Sequence, residues 1–306
     1  LYDSTTISKN GYVVTSDGLL LLDVSRHYNS GPRYSHRAFT RCFVAGPANR
    51  IPGRMALLAS EGSDNYFHWL LDLMPRIALL KRAGFDLRSF DRFVLPRTRI
   101  PLADECLDLA EIPKEKVLLT GRLNRIEADE MIVPSYPNAR LCPSPEAVRF
   151  LREEIAPRVL TKVGPTNPMP KRIYIRRKSR RCIVNPTPVE NCLRSHGFQS
   201  VELERFSFSD QIRLFSNAEA IVGVHGAGFA NTAFCRPGTK ILELLSPVYL
   251  HLCFWDLACS ADLDFSYLQG VDRSASKPTS DERHDGKANV EIPVDLLESQ
   301  LEQMNL

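Results

Sequence analysis

The sequence predicts an α/β protein of two domains, and three observations support that fold class. The chain has 306 residues, 43% of them hydrophobic and 25% charged, which is enough for two domains that each bury a core. Short apolar runs alternate with helix-like stretches along most of the chain, as they do in parallel sheets with helical crossovers. Residues 161–171 hold three prolines and a glycine among few apolar side chains, which predicts a linker.

The first domain is expected over residues 1–160, with a β-rich start. Asp17-Gly18 lies between two apolar runs, which is a hairpin signal. A helix is predicted from about Asn65, with Ser63 or Asp64 as its N-cap. Another is predicted from Ser144-Pro145 to between 155 and 160, since proline suits the first helical position. The remaining signals are an apolar run at 41–44, strands at 55–59, 92–96, 117–119 and 130–134, and a helix at 102–111.

The second domain is expected over residues 172–290, where the alternation is cleaner. Residues 270–290 have the polar composition of an exposed loop. An amphipathic helix closes the chain within 291–306, and our hypothesis is that it packs back on the first domain. The predicted strands are 172–176, 199–203, 220–224, 240–245 and 264–268, and the predicted helices are 187–196, 207–216 and 249–259.

A glycine-rich turn follows the strand 220–224. Gly226 and Gly228, on either side of Ala227, let backbone N–H groups approach a ligand closely. The helix start that follows favours an anion. His225 ends the strand and would face the crevice where open α/β sheets bind ligands. Glu243 interrupts the next apolar run, and a buried carboxylate needs a partner such as a ribose hydroxyl pair. We interpret this region as a nucleotide-diphosphate pocket; a structural histidine and a surface carboxylate are the alternatives.

A basic turn ends the first strand of the second domain. Residues 176–181 include five cations, which repel one another unless an anion neutralises them. Guanidinium groups suit bidentate phosphate contacts, so Arg176, Arg177 and Arg181 are candidate phosphate ligands. The alternative is a solvated basic loop or an unspecific nucleic-acid patch, but a net charge of +3 does not argue for nucleic acid.

A polar stripe lies on the helix predicted from Asn65. Asn65, His68 and Asp72 are spaced i, i+3 and i+7 and therefore share one face. Their apolar neighbours should face the core, which leaves the polar stripe facing a cleft. The alternatives are a solvated helix face or a metal pair, although no third metal ligand is evident.

Together these stretches resemble glycosyltransferase family 61, from about residue 61 to residue 268. The resemblance implies a GT-B architecture, in which two Rossmann-like domains face a cleft, with the nucleotide-sugar donor on the second domain and the acceptor mainly on the first. It also implies inversion at the anomeric carbon without a metal or other cofactor. The matching residues are Asn65, Phe67-His68, Asp72, 174–177, Arg181, 224–228, Pro237-Gly238 and Glu243.

The resemblance also implies roles for these residues. Direct displacement needs a base for the acceptor hydroxyl and positive charge for the departing diphosphate. We expect Asp72 to be the base, with His68 as its rival and Asn65 as a positioning group. The basic turn and the amides of the glycine turn would hold the diphosphate. Asp262-Leu263-Asp264 has the D-x-D pattern of metal-dependent transferases, but it follows the penultimate helix rather than an early strand.

The sequence leaves alternatives open for both the function and the location of the protein. The expected partners are a nucleotide-sugar donor and a glycan or glycolipid acceptor, as in bacterial capsule and surface-polysaccharide synthesis. A nucleotide-sugar epimerase or a non-catalytic subunit of a glycan assembly complex would also suit two such domains. An esterase is disfavoured, because the sequence contains no G-x-S-x-G elbow. Eight cysteines without a C-x-x-C pair, and no apolar run of membrane-spanning length, favour the cytoplasm. Peripheral attachment to the inner face of the membrane and a removed leader before Leu1 both stay open.

Overall fold

The described chain forms two compact units, Leu1–Ile155 and Ala156–Leu306, each with its own sheet. Their boundary lies inside the helix predicted to end the first domain. The apolar run at 41–44, most of the predicted linker and most of the loop 270–290 lie outside the described residues. The computed structural model describes residues 5–7, 10–27, 36–39, 47–121, 125–138, 141–161, 169–271 and 289–306.

The first unit contains a six-stranded mixed sheet. Its strands are β1 (Thr5–Ile7), β2 (Tyr12–Val14), β3 (Ala48–Leu57), β4 (Arg92–Pro96), β5 (Val117–Thr120) and β6 (Arg125–Ile132), in the spatial order β2-β1-β6-β3-β4-β5. Strands β3 to β6 pair in parallel, whereas β1 is antiparallel to β2 and β6. Met55 and Leu57 of β3 pack with Val94 of β4 and Met131 of β6 in the core of this unit.

The predicted hairpin forms in part. Gly18 adopts a positive φ of 87° in the turn, as glycine allows. The returning strand is reduced to a single bridge between Val14 and Leu20.

The helix predicted from Asn65, α1, begins as α-helix at Tyr66–His68, passes through a π-helical turn at Trp69–Leu73 and ends with Met74–Arg82. Asn65 itself is the N-cap, because its side chain accepts the N–H of Phe67 at 2.9 Å. Ser144 caps the other predicted helix by accepting the N–H of Ala147. The remaining helices of this region are α2 (Ala103–Leu109) and α3, which joins Pro145–Arg149, a π-helical turn at Phe150–Ile155, and Ala156–Leu160.

The second unit contains a five-stranded sheet that is parallel throughout. Its strands are β7 (Arg172–Ile175), β8 (Gln199–Val201), β9 (Ala220–Val224), β10 (Lys240–Leu245) and β11 (Asp264–Gln269), in the order β11-β10-β9-β7-β8. Its described helices are α4 (Pro186–Ser195), a short 3-10 helix (Leu203–Arg205), α5 (Phe208–Asn217), a longer 3-10 helix (Ala227–Phe234), α6 (Cys253–Ser260) and α7 (Val294–Gln303). Both units therefore have the mixed α/β character expected of Rossmann-like folds.

The closing helix α7 is part of the second unit's core. Leu297 and Leu301 are fully buried there with Val189 and Leu193 of α4. The sequence hypothesis placed this helix against the first domain, but its apolar side chains pack within its own unit. Among the described residues, no helix combines the length and the apolar character needed to cross a membrane.

Candidate functional site

The strand order of the second unit defines a crevice. Strand β7 has β8 on one side and β9 on the other, so the connections after β7 and β9 leave the sheet in opposite directions. Open α/β sheets bind ligands outside the carboxyl ends of the strands at such a switch point. The basic turn follows β7 and the glycine turn follows β9, so the two predicted phosphate-binding segments meet at this place.

His225 and Glu243 form a buried pair at this edge. Nδ1 of His225 lies 2.6 Å from Oε1 of Glu243, and the two residues are 5% and 1% exposed. Burial, reinforced by the positive charges of Arg181 and Arg177, lowers the pKa of His225 to about 3. Burial raises the pKa of Glu243 to about 8, against the attraction of Arg181. Both shifts favour the uncharged forms of the two side chains.

Arg177 and Arg181 lie beside this uncharged pair. Nη1 of Arg177 donates to the carbonyl of His225 at 3.5 Å, and its Nε donates to the carbonyl of Arg180. The guanidinium of Arg181 lies 5.1 Å from the ring centroid of Tyr249, which in turn is 5.3 Å from the ring of His225. Burial and the charge of Arg181 lower the pKa of Arg177. Two cations next to a neutral pair form a site suited to an anion.

Gly226 makes room for Arg177. A Cβ at Gly226 would lie 1.5 Å from Nη1 of Arg177, so any side chain there would displace the guanidinium. Ala227 and Gly228 begin the 3-10 helix, whose first turn leaves N–H groups without intrahelical acceptors. These amides and the two guanidinium groups are the donors available to an anion at this edge.

Arg176 lies elsewhere. Its Nε is 3.1 Å from Oε1 of Glu190 on α4, and its side chain is 44% exposed. Lys178 pairs with Glu202 at 2.7 Å. The basic turn is thus divided: Arg177 and Arg181 gather at His225, whereas Arg176 and Lys178 form ion pairs away from it.

A cavity of about 380 Å³ opens beside Glu243. No local sequence signal marks this cavity, because the stretch around residue 250 predicts only the start of a helix. Its walls are mainly apolar and include the half-exposed rings of Trp255 and Tyr267. The lining residues are Glu243, Leu245, Leu250, His251, Leu252, Trp255, Phe265, Tyr267 and Gln269.

His68 and Asp72 form a second pair, in the first unit. Nδ1 of His68 lies 2.7 Å from Oδ2 of Asp72. Asp72 is only 1% exposed, whereas the side chain of His68 is 16% exposed. His68 and Asp72 therefore do not belong to a solvated helix face. Asn65, the third residue of the predicted stripe, is exposed and caps the N-terminus of the same helix.

Other groups keep Asp72 charged. Burial alone would raise the pKa of Asp72. Its partners outweigh burial and lower the pKa: they are the hydrogen bond and charge of His68, a hydrogen bond from Asn138 and the charge of Arg26. Nδ2 of Asn138 donates to Oδ1 of Asp72 at 3.0 Å, and Nη1 of Arg26 lies 3.7 Å from the same oxygen. Since Asp72 is an anion, Nδ1–H of His68 donates to it, which leaves Nε2 as the basic atom of the ring.

The D-x-D motif lies at the opposite edge of the second sheet. Asp264 begins β11 and is paired in register with Lys240, the first residue of β10. His225 follows the last residue of β9, so the two sites lie at opposite ends of parallel strands. Within the described ranges, no three His, Cys, Asp or Glu side chains come together in a way that could hold a metal ion.

A comparison with protein families finds a match over much of the chain. Residues 66–242, more than half of the chain, match the family described as Glycosyltransferase 61. The matched segment includes His68, Asp72, Arg177, Arg181 and His225, and it ends one residue before Glu243. A comparison with curated proteins finds no match.

Proposed function

Since the chain belongs to glycosyltransferase family 61 and is a glycosyltransferase, we propose that it transfers a sugar from a nucleotide-diphosphate donor to a glycan hydroxyl with inversion and without a metal. The observation that carries the donor class is the gathering of Arg177 and Arg181 at the switch point of the second sheet. Their charges are not cancelled by Glu243, because its raised pKa keeps it protonated at neutral pH. A diphosphate would supply the missing negative charge.

The nucleoside of the donor is proposed to lie in the cavity beside Glu243. The rings of Trp255 and Tyr267 offer faces on which a base can stack, and stacking of this kind contributes about 1–3 kcal/mol per base. Glu243 borders both the cavity and the cationic site. It is therefore placed between a base and a diphosphate, where a ribose would be.

His68 is proposed as the base, with Asp72 behind it. The sequence favoured Asp72, but a carboxylate that is 1% exposed and held by other groups is poorly placed to meet an acceptor, whereas the His68 ring is partly exposed. The acceptor hydroxyl would pass its proton to Nε2 of His68 while its oxygen bonds to the anomeric carbon. The bond from that carbon to the diphosphate oxygen breaks, and the leaving diphosphate keeps the electron pair.

The proposed metal independence rests on the donors already present. Arg177, Arg181 and the amides of Ala227 and Gly228 would stabilise the leaving diphosphate, as preorganised donors do in other enzymes. The D-x-D motif starts from the wrong edge of the sheet for this task.

The wider setting is proposed from the family resemblance. It comprises the GT-B arrangement, a glycan or glycolipid acceptor in bacterial surface-polysaccharide synthesis, and a cytoplasmic location. The epimerase and the non-catalytic subunit are less consistent with the family assignment, because both lack transfer to an acceptor.

A ligand panel tests the donor proposal. The melting temperature is measured with UDP, GDP, CDP, CMP and their sugars, first in EDTA and then with manganese, since a ligand of the native state stabilises it by mass action. We expect one nucleotide diphosphate to stabilise the protein in EDTA, and less so in a Trp255→Ala variant. Stabilisation that requires manganese would contradict the metal-free mechanism, and a flat panel would contradict the donor site.

A further inference from the structure

We propose that Asn138 is a positioning residue that fixes the carboxylate of Asp72 and, through it, the imidazole of His68. This inference rests on the proposed role of His68 as the base. Asn138 lies 66 residues from Asp72 in the sequence and is 5% exposed. Nothing in the family match assigns it a role.

The side-chain amide of Asn138 is fully engaged. Nδ2 donates to Oδ1 of Asp72 at 3.0 Å and also to the carbonyl of Leu71 at 2.5 Å. Oδ1 accepts the backbone N–H of Ser144 at 2.7 Å. Because a backbone N–H requires an oxygen opposite it, the amide cannot flip, and its N–H groups must face Asp72 and Leu71.

Pro75 provides the place for this amide. In an α-helix the residue at position 75 would donate its N–H to the carbonyl of Leu71, but proline has no N–H. The site is also the end of the π-helical turn Trp69–Leu73, where the hydrogen-bond register of α1 changes. At this break the side chain of Asn138 donates to the Leu71 carbonyl. The break in α1 therefore brings an amide donor next to Asp72.

Arg26 holds Asn138 from the other side. Nη2 of Arg26 donates to the carbonyl of Asn138 at 2.6 Å, and its guanidinium stacks 3.8 Å from the ring centroid of Tyr136. The backbone of Asn138 is thus fixed by Arg26 and its side chain by Ser144 and Leu71. A donor fixed in this way determines the orientation of the carboxylate it binds.

The two oxygens of Asp72 then have separate tasks. Oδ1 receives the N–H of Asn138, and Oδ2 receives Nδ1–H of His68. If the first contact is lost, this buried carboxylate oxygen loses its 3.0 Å hydrogen bond and keeps the longer contact of 3.7 Å with Arg26, so the carboxylate is less firmly oriented toward the imidazole. The expected consequence is a base in the wrong orientation, with the donor site of the second unit unaffected.

The test compares Asn138→Asp with Asn49→Asp. Both exchanges remove an amide, but Asn49 is exposed on β3 of the same unit and serves as the matched control. Asn138→Asp places an oxygen against Asp72, so kcat should fall about 10- to 100-fold, the scale of lost supporting contacts at active sites. The KM for the donor should stay unchanged. The acid limb of the pH–rate profile should move to higher pH, because a second carboxylate raises the pKa of its neighbours. Asn49→Asp should match the wild type in all three.

Further variants separate the possible failures. Pro75→Ala restores an N–H that competes for the Leu71 carbonyl, and it should also lower kcat, which provides a second test if Asn138→Asp does not fold. Wild-type kcat and pH profile in both variants would overturn the role of Asn138. By contrast, an active His68→Ala variant would overturn the proposed base itself, and a loss of nucleotide binding in Asn138→Asp would show that the residue acts on folding rather than on His68.

Discussion

The two histidine–carboxylate pairs of this chain have nearly the same geometry and opposite charge states. Nδ1 to carboxylate distances are 2.7 Å for His68–Asp72 and 2.6 Å for His225–Glu243, and both carboxylates are 1% exposed. Yet the pKa of Asp72 is lowered and that of Glu243 is raised. The difference lies first in the histidines themselves and then in the other neighbours.

The hydrogen bond and charge of His68 lower the pKa of Asp72 most, and an N–H from Asn138 and the charge of Arg26 add to them, so that together they outweigh burial. Burial dominates at Glu243, where only the charge of Arg181 opposes it. The carboxylate is thus ionised at Asp72, where its partners outweigh burial, and protonated at Glu243, where burial dominates. The first arrangement suits a base, and the second leaves two guanidinium groups free to attract an anion.

The largest expected effect concerns Asp72. Asp72→Asn keeps the shape but removes the anion that sets the tautomer of His68, so kcat should fall about 10³- to 10⁴-fold, as when the orienting carboxylate of other histidine bases is removed. Donor binding, measured by thermal shift, should stay at the wild-type value. Glu243→Gln is the matched exchange in the other pair and should alter donor affinity more than kcat. Equal losses of kcat in the two variants would remove the distinction between the pairs.

The next prediction concerns pH and stability. Folding raises the pKa of Glu243 from 4.5 to about 8. Its contribution to the free energy of unfolding is therefore fully present below pH 4.5 and is lost as pH rises toward 8. The pKa of His225 is lowered from 6.5 to about 3, so stability increases between those values as pH rises. The two trends oppose each other between pH 4.5 and 6.5, and only the loss from Glu243 remains between pH 6.5 and 8.

Melting temperatures across this range test that assignment. One pKa unit corresponds to about 1.4 kcal/mol, so the loss above pH 6.5 should be on the order of 2 kcal/mol. Glu243→Gln should reduce this loss of stability. Asp72 contributes the opposite pattern, because its lowered pKa stabilises the protein above the unfolded value of 3.8 and this contribution is lost only in acid, so Asp72→Asn should reduce the loss of stability in acid. An unchanged alkaline loss in Glu243→Gln would show that Glu243 is ionised in the native protein.

The divided basic turn gives the third prediction. Arg177→Ala and Arg181→Ala should each weaken nucleotide-diphosphate binding about 10- to 100-fold, the scale of a lost charged hydrogen bond. Arg176→Ala is the control on the same turn, since its guanidinium pairs with Glu190, and the affinity should change less than about threefold. Isothermal titration with the nucleotide from the panel measures all three. A larger loss in Arg176→Ala would restore the sequence-based assignment of that residue.

The smallest expected effect is at Gly226. Gly226→Ala would place a Cβ where Nη1 of Arg177 lies, although the φ of 175° suits any residue. The guanidinium should move, and nucleotide affinity should fall about fivefold, the scale of one hydrogen bond. The melting temperature without ligand should change little, because the displaced group is the end of a flexible side chain. A large drop in melting temperature with unchanged affinity would make Gly226 a packing residue only.

Local sequence signals predicted much of the second unit. The alternation of apolar runs and helix starts gave its strands within a few residues, and the glycine turn after β9 is where it was expected. The sequence could not show which of Arg176 and Arg177 lies beside His225, since successive residues point to opposite faces and the chain leaves the sheet at that point. The cavity beside Glu243 was missed because it depends on side chains from three separate segments.

In the first unit, local sequence patterns identified two site residues but not the contacts that hold them. His68 and Asp72 were identified from helical spacing, but their hydrogen bond forms on a helix that includes a π-helical turn, which that spacing does not describe. Asn138 and Arg26 reach Asp72 from distant parts of the chain, and no local pattern marks either one. The proline inside α1 was the available signal, because it leaves a carbonyl that needs another donor.

The most direct test of the contrast between the pairs is a pH titration of the ¹⁵N-labelled imidazoles by NMR, with His225→Gln and His68→Ala for assignment. We predict that His225 keeps the shifts of a neutral ring down to pH 4.5, since burial lowers its pKa to about 3. His68 should show Nδ1–H hydrogen-bonded to a carboxylate. A protonated His225 at pH 6 would mean that its pair with Glu243 is ionic, and it would contradict the account of how the two pairs differ.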